Sequence, residues 1–160
     1  MASVDRHYTN VCPDYLFVGA TWPLIGATFP GTPLTGTSTL THGTISIVDD
    51  DAWSRRGLGD LIQSLGYTAR TFASAEEFVE SGSIEDTSCL ITDLWMPGLS
   101  GLQLQSRLRD EGHHIPLIVM TAYPTKTHRE QAFAGGATGF LSKPLDEEAL
   151  VACLAHALKQ

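Results

Sequence analysis

The sequence predicts an α/β fold, a doubly wound parallel sheet with helices on both faces, and three observations predict it. Short apolar runs rich in β-branched residues recur five times after residue 43, each followed by a segment with helical spacing. The runs are apolar without strict alternation, as strands buried on both faces require. Polar residues with chemistry to offer stand directly after the runs, at the end of a parallel sheet where sites form.

The elements follow in order. Residues 44–48 (TISIV) read as a first strand and end in Asp49-Asp50-Asp51. Residues 53–65 place Leu58, Leu61, Ile62 and Leu65 at helical spacing, with Gly66 as the stop. Residues 68–72 form a second strand, and Ser74 followed by Glu77 reads as a capping box opening a helix to about residue 80. Residues 89–92 (CLIT) form a third strand that ends in Asp93. A Met96-Pro97-Gly98 turn leads to a helix over 101–110, with Leu102, Leu104 and Leu108. Residues 116–120 (PLIVM) are a wholly apolar fourth strand ending in Thr121. A helix over 126–134 stops at Gly135-Gly136. Residues 138–141 form a fifth strand ending near Lys143-Pro144, and an amphipathic helix over 146–158 closes the chain.

Residues 1–42 differ in character. They are rich in Thr, Pro and Gly, have no sustained period, and predict an extension that is disordered or loosely packed. The extension is either a tether or sequence translated upstream of the natural start. The rest, 43–160, is one domain. The stretch from Tyr15 to Thr41 has no charge, but Pro23, Pro30, Pro33 and four glycines interrupt it. Its apolar part, 16–29, is shorter than the roughly 20 residues that span a bilayer, so no membrane segment is expected. The start lacks the basic leader of an export signal. Cys12, Cys89 and Cys153 are far apart and form no CxxC, which suits free thiols in a reducing cytoplasm. The formal net charge of −8 argues against a surface that neutralises nucleic-acid phosphates.

The five βα units bring Asp49, Asp50, Asp93, Thr121 and Lys143 to one edge of the sheet. Carboxylates gathered closely repel one another unless a cation intervenes, and Mg²⁺ is a hard cation that takes oxygen ligands. A lysine supplies a compact positive charge for phosphate oxygens, and a threonine hydroxyl one hydrogen bond. Such a set suits phosphoryl transfer onto a carboxylate. Taken singly, each residue has a plainer reading. The Asp49-Asp50-Asp51 run suits the N-terminus of a helix, with Asp51 the best candidate for a pure cap. Thr121 and Lys143 suit ordinary loops, and Phe140 suits the core. His113-His114 reads as a solvated loop, since no third metal ligand is evident.

Four motifs in order, IVDDD, ITDLWMPGLSG, IVMTAY and GATGFLSKP, give the chain from about residue 44 to 160 its resemblance to response-regulator receiver domains. The short Asp93-to-Thr121 interval and the MPxxSG turn resemble the FixJ-type branch. The resemblance implies a flavodoxin-like (βα)5 fold with strand order 2-1-3-4-5. It implies Asp93 as phosphoacceptor, Asp50 as a direct Mg²⁺ ligand, Asp49 assisting through water, and the Trp95 backbone carbonyl as a further ligand. Lys143 and Thr121 would bind the phosphoryl group, Thr121 and Phe140 would form the switch, and the Lys143–Pro144 bond would be cis.

The implied partner is a histidine kinase or a histidine phosphotransfer protein, with a homodimer possible through the fourth helix, fifth strand and fifth helix. The implied chemistry is limited to the domain's own phosphoryl transfer and slow autodephosphorylation, so it is not an enzyme on external substrates.

Two features depart from the pattern. Trp95 and Tyr123, each two residues past a site residue, are expected to hinder attacking water, and Trp95 equally suits packing on the surface or against a partner. FixJ-type regulators usually continue into a helix-turn-helix domain. This sequence has no basic recognition helix, so direct DNA binding is not expected of it, whether as a stand-alone receiver or a fragment. Two other readings fit the residues less well. A haloacid-dehalogenase-type phosphohydrolase wants an acid two residues after its nucleophile and then a Thr; Trp95 follows Asp93, and Trp53 stands where the Asp49/Asp51 pair would need the Thr. A degenerate receiver that binds partners without phosphorylation would typically lack an acid or the lysine, and all are present.

Overall fold

The computed structural model describes residues 42–159. The expected extension, with Cys12, lies outside the described residues apart from residue 42. The element order is β1 (His42–Val48), α1 (Ala52–Ser64), β2 (Tyr67–Phe72), α2 (Ala75–Glu80), β3 (Cys89–Asp93), α3 (Gly101–Asp110), β4 (Leu117–Thr121), α4 (Lys126–Ala134), β5 (Gly139–Ser142) and α5 (Glu147–Ala157). The strands form one sheet in the order β2-β1-β3-β4-β5, and every pairing is parallel. The expected α/β class and strand order are both present.

The physical basis is visible element by element. Every residue of β3 and β4 is buried, which explains runs with no alternation. The sheet separates two apolar layers. Ile45, Ile47, Ile91, Ile118, Met120 and Leu141 face α1 and α5, where they meet Leu58, Ile62, Leu150 and Leu154. Val48, Leu90, Val119 and Phe140 face α2, α3 and α4, where they meet Phe78, Leu104, Leu108 and Ala132. Neighbouring residues of β5 thus serve opposite layers, Phe140 one and Leu141 the other.

All five helices open on a side chain that accepts a hydrogen bond from the first turn: Asp51, Ser74, Ser100, Thr125 and Asp146. Asp51 is the cap the sequence suggested, accepting from the Ser54 N–H at 2.7 Å. The expected Ser74–Glu77 box forms only in half. Ser74 accepts from Glu77 N, but the Glu77 carboxylate reaches one residue further back, to Ala73 N at 2.6 Å. The complete reciprocal box belongs to Ser100 and Gln103. The first strand also starts earlier than its pattern indicated. Gly43 lies inside β1 because a Cβ there would collide with Ser88, which donates its own N–H to the Thr44 carbonyl at 2.8 Å.

Cys89 and Cys153 are buried in the α1/α5 layer, as read, and burial pushes the Cys89 thiol up to about 12. Among the described residues no helix is long and apolar enough to cross a membrane.

Candidate functional site

The chain reverses its direction of winding between β1 and β3, so the crevice of the sheet opens beside their carboxyl ends. The backbone ladder continues just past the strands there. Asp49 N donates to Phe72 O at 3.1 Å, Leu94 N to Met120 O at 2.8 Å, and Lys143 N to Thr121 O at 2.8 Å. Asp49, Asp93 and Lys143 therefore project from backbone that is already held. The Lys143–Pro144 bond is cis, as the resemblance implied.

Lys143 forms the centre of the arrangement. Its Nζ donates to Asp93 Oδ2 at 2.6 Å and to Asp49 Oδ2 at 2.8 Å. Burial opposes its charge, but the two hydrogen bonds and the two carboxylate charges outweigh that effect and hold the ammonium above its ordinary pKa. Asp49 is fully buried and Asp93 nearly so, while Asp50 is exposed beside them. A carboxylate oxygen from each of Asp49, Asp50 and Asp93 lies within 4.8 Å of the others. The donor set is all oxygen and all anionic, which fits a hard divalent cation. Asp93 Oδ1 is steadied by the Trp95 N–H at 3.0 Å.

Thr121 is buried at the end of β4, where its Oγ1 accepts from the Tyr123 N–H at 3.2 Å. Phe140 is fully buried, in the same apolar layer as Val119 and Leu104. Trp95 and Tyr123 stand at the rim, 56% and 76% exposed. The Trp95 ring packs edge-on against His128 of α4 at 5.3 Å between centroids, so its surface contact is with its own domain. His113 and His114 do not join the site. They lie past α3, and His113 Nδ1 meets Glu85 Oε1 at 3.2 Å.

Four contributors were not singled out from the sequence. Ser54 Oγ donates to Asp49 Oδ2 at 2.7 Å, and the Arg55 guanidinium donates to the Asp49 carbonyl. Glu76 of α2 accepts from Leu99 N at 2.8 Å, tying the loop after Asp93 to another helix. Hydrogen bonds from its own backbone and from Leu99 N hold Glu76 below the usual carboxylate range. Gly101 packs so tightly that a Cβ there would run into the Asp93 carbonyl oxygen. The sequence signal for Gly101 is its place as the last residue of the MPxxSG motif, where it opens α3. Ser54 and Glu76 carry no local signal, because their partners are set by how helices cross the sheet edge.

Known proteins match this same stretch. The family model described as "Response regulator receiver domain" matches residues 45–155, more than half of the chain. Nodulation protein W of Bradyrhizobium diazoefficiens is 40% identical over 120 residues, covering 74% of this chain and 53% of that protein. The transcriptional regulatory protein FixJ of Azorhizobium caulinodans is 36% identical over 114 residues, covering 71% of this chain and 54% of that protein. The chain thus spans about half the length of these relatives. A crystal structure of FixJ-N superposes with a TM-score of 0.68 at 29% identity, covering 76% of this chain and 97% of that one. The family model spans the residues that build the sheet and its acidic edge, and the chain belongs to the response-regulator receiver domain family, in the FixJ branch.

Proposed function

We propose that this domain is a phosphorylation-operated signalling module that accepts a phosphoryl group on Asp93 from a histidine kinase or a histidine phosphotransfer protein. The observation that carries this reading is the Lys143 bridge to Asp49 and Asp93, at 2.8 and 2.6 Å, beside the exposed carboxylate of Asp50. A carboxylate oxygen of Asp93 attacks phosphorus. A P–O bond forms as the P–N bond to the donor imidazole breaks, and the departing ring nitrogen keeps the bond's electron pair and takes up a proton.

Mg²⁺ suits the acidic edge and, when bound, offsets the charge of the transferred group. Asp50 and Asp93 would hold it directly, with the Trp95 carbonyl as a further ligand. Asp49 would assist through water, since both its oxygens already accept hydrogen bonds from the protein. Lys143 and the Thr121 hydroxyl contact the phosphoryl oxygens. The added charge biases Thr121 and Phe140 between two arrangements, which α4, β5 and α5 display to a second copy or another protein target. The domain's chemistry is confined to its own phosphorylation and slow autodephosphorylation, and it makes no direct nucleic-acid contact. Buried thiols support a reducing, cytoplasmic setting.

Intact mass after incubation with acetyl phosphate tests this reading. Wild type gains one phosphate only when Mg²⁺ is present, and Asp93→Asn gains none. No gain in a wild type that binds Mg²⁺, with a protein phosphodonor also failing, points instead to a phosphorylation-independent interaction module.

Trp95 and Tyr123 stand at the rim and slow hydrolysis by obstructing water. In a Trp95→Ala, Tyr123→Ala double variant the aspartyl phosphate decays about fivefold faster, equivalent to about 1 kcal/mol of barrier. An unchanged decay rate, followed by mass, removes that role.

A further inference from the structure

We propose that Ser54 is a positioning residue of the acceptor site, keeping Asp49 supplied with a hydrogen-bond donor when Lys143 turns from it to the phosphoryl group. The inference rests on the phosphoacceptor reading above and adds a residue to it.

Asp49 has no exposed surface, so its oxygens depend on the protein for donors. Oδ1 accepts from Asp51 N at 2.9 Å. Oδ2 accepts from two groups, Ser54 Oγ at 2.7 Å and Lys143 Nζ at 2.8 Å. The same ammonium also serves Asp93 Oδ2 at 2.6 Å. A phosphoryl group on Asp93 adds negative charge and three strong acceptor oxygens within reach of that ammonium. As Lys143 follows them, its bond to Asp49 loosens. With no other donor from the protein, Asp49 Oδ2 would be left to whatever a metal-held water could offer and would bear part of its desolvation penalty. Ser54 removes that obstacle. Its hydroxyl satisfies Asp49 without adding a charge that would compete with Lys143 for the phosphoryl oxygens.

The serine is well placed for this task. It lies in the first turn of α1, and its backbone N–H is anchored on the Asp51 cap at 2.7 Å. The bonds that start the helix also deliver the hydroxyl to Asp49.

Calorimetric titration of the full chain with beryllium fluoride and Mg²⁺ provides the test. The probe bonds to a carboxylate oxygen and presents fluorines where phosphoryl oxygens would stand. Ser54→Ala binds it about tenfold more weakly than wild type, the effect of leaving one buried acceptor poorly satisfied. Ser54→Thr keeps the hydroxyl and binds within about twofold of wild type. Affinity for Mg²⁺ alone changes by less than about threefold in both, because Lys143 stays on Asp49 until a phosphoryl-like group arrives. If Ser54→Ala does not fold, Ser54→Thr against Ser54→Val compares the hydroxyl at nearly equal shape.

Equal probe affinity with and without the hydroxyl overturns the proposal, and so does a Thr variant as weak as the Ala variant. A loss of Mg²⁺ affinity matching the loss of probe affinity also overturns it, since the hydroxyl would then be shaping the metal site and not freeing Lys143. A wild type that takes neither beryllium fluoride nor a phosphoryl group is a different failure, of the phosphoacceptor reading itself, and the Ser54 role falls with it.

Discussion

Lys143→Ala is expected to slow phosphorylation by acetyl phosphate about a hundredfold while tightening Mg²⁺ binding. In the proposed transfer, the variant would lack a positioned donor aimed at charge that develops in the transition state, typically worth about two orders of magnitude. The gain in Mg²⁺ affinity has a separate origin. Without the ammonium, the carboxylates of Asp49, Asp50 and Asp93 repel one another unopposed, and a divalent cation relieves more repulsion than before. The same repulsion lowers stability. The cost without metal is about 2 kcal/mol, below that of a fully buried broken pair because this edge is open to water through Asp50. Saturating Mg²⁺ restores part of it by mass action. Parallel Mg²⁺ titrations and denaturant melts, with and without metal, check all three effects. Weaker Mg²⁺ binding in the variant would show that Lys143 organises the carboxylates instead of competing for them.

Phe140→Ala is expected to destabilise the domain by about 3–5 kcal/mol, the range for deleting a fully buried phenylalanine. Phe140 is among the largest side chains with no exposed surface, and its cluster includes Val119, Leu104 and Ala132. Truncation leaves a cavity between sheet and helices that the neighbouring elements only partly close. Chemical denaturation should show a lower midpoint with an unchanged slope. Mg²⁺ affinity should hold within about threefold, because the acidic edge is fixed by the backbone bonds from Asp49 to Phe72 and from Leu94 to Met120 and not by the ring. A cost under about 1 kcal/mol would mean that the ring spends much of its time outside the core.

Much of this was legible in the sequence, and the reason is physical. A strand buried on both faces announces itself as an apolar run, and a parallel sheet gathers the ends of such runs at one edge. Asp49, Asp93, Thr121 and Lys143 could be grouped before any coordinate was known because each ends a run. What sequence could not supply were contacts decided by how elements cross. The hydroxyl of Ser54 on Asp49, the carboxylate of Glu76 on Leu99 and the ring of Trp95 on His128 join residues whose neighbours along the chain say nothing of the meeting. The early start of β1 has a related reason. Glycine ordinarily punctuates a strand, yet here it lies within one because Ser88 leaves no room for a side chain.

The division of the interior by the sheet has a consequence for how the molecule can be read by others. Phe140 points into the layer beneath α2, α3 and α4, and its neighbour Leu141 into the layer beneath α1 and α5. In the proposed switch, a change in the ring would be heard on one side of the partition and muted on the other. In the proposed dimer surface, α4 would carry the message, whereas α5 would keep a constant address by which a partner recognises the domain in either state.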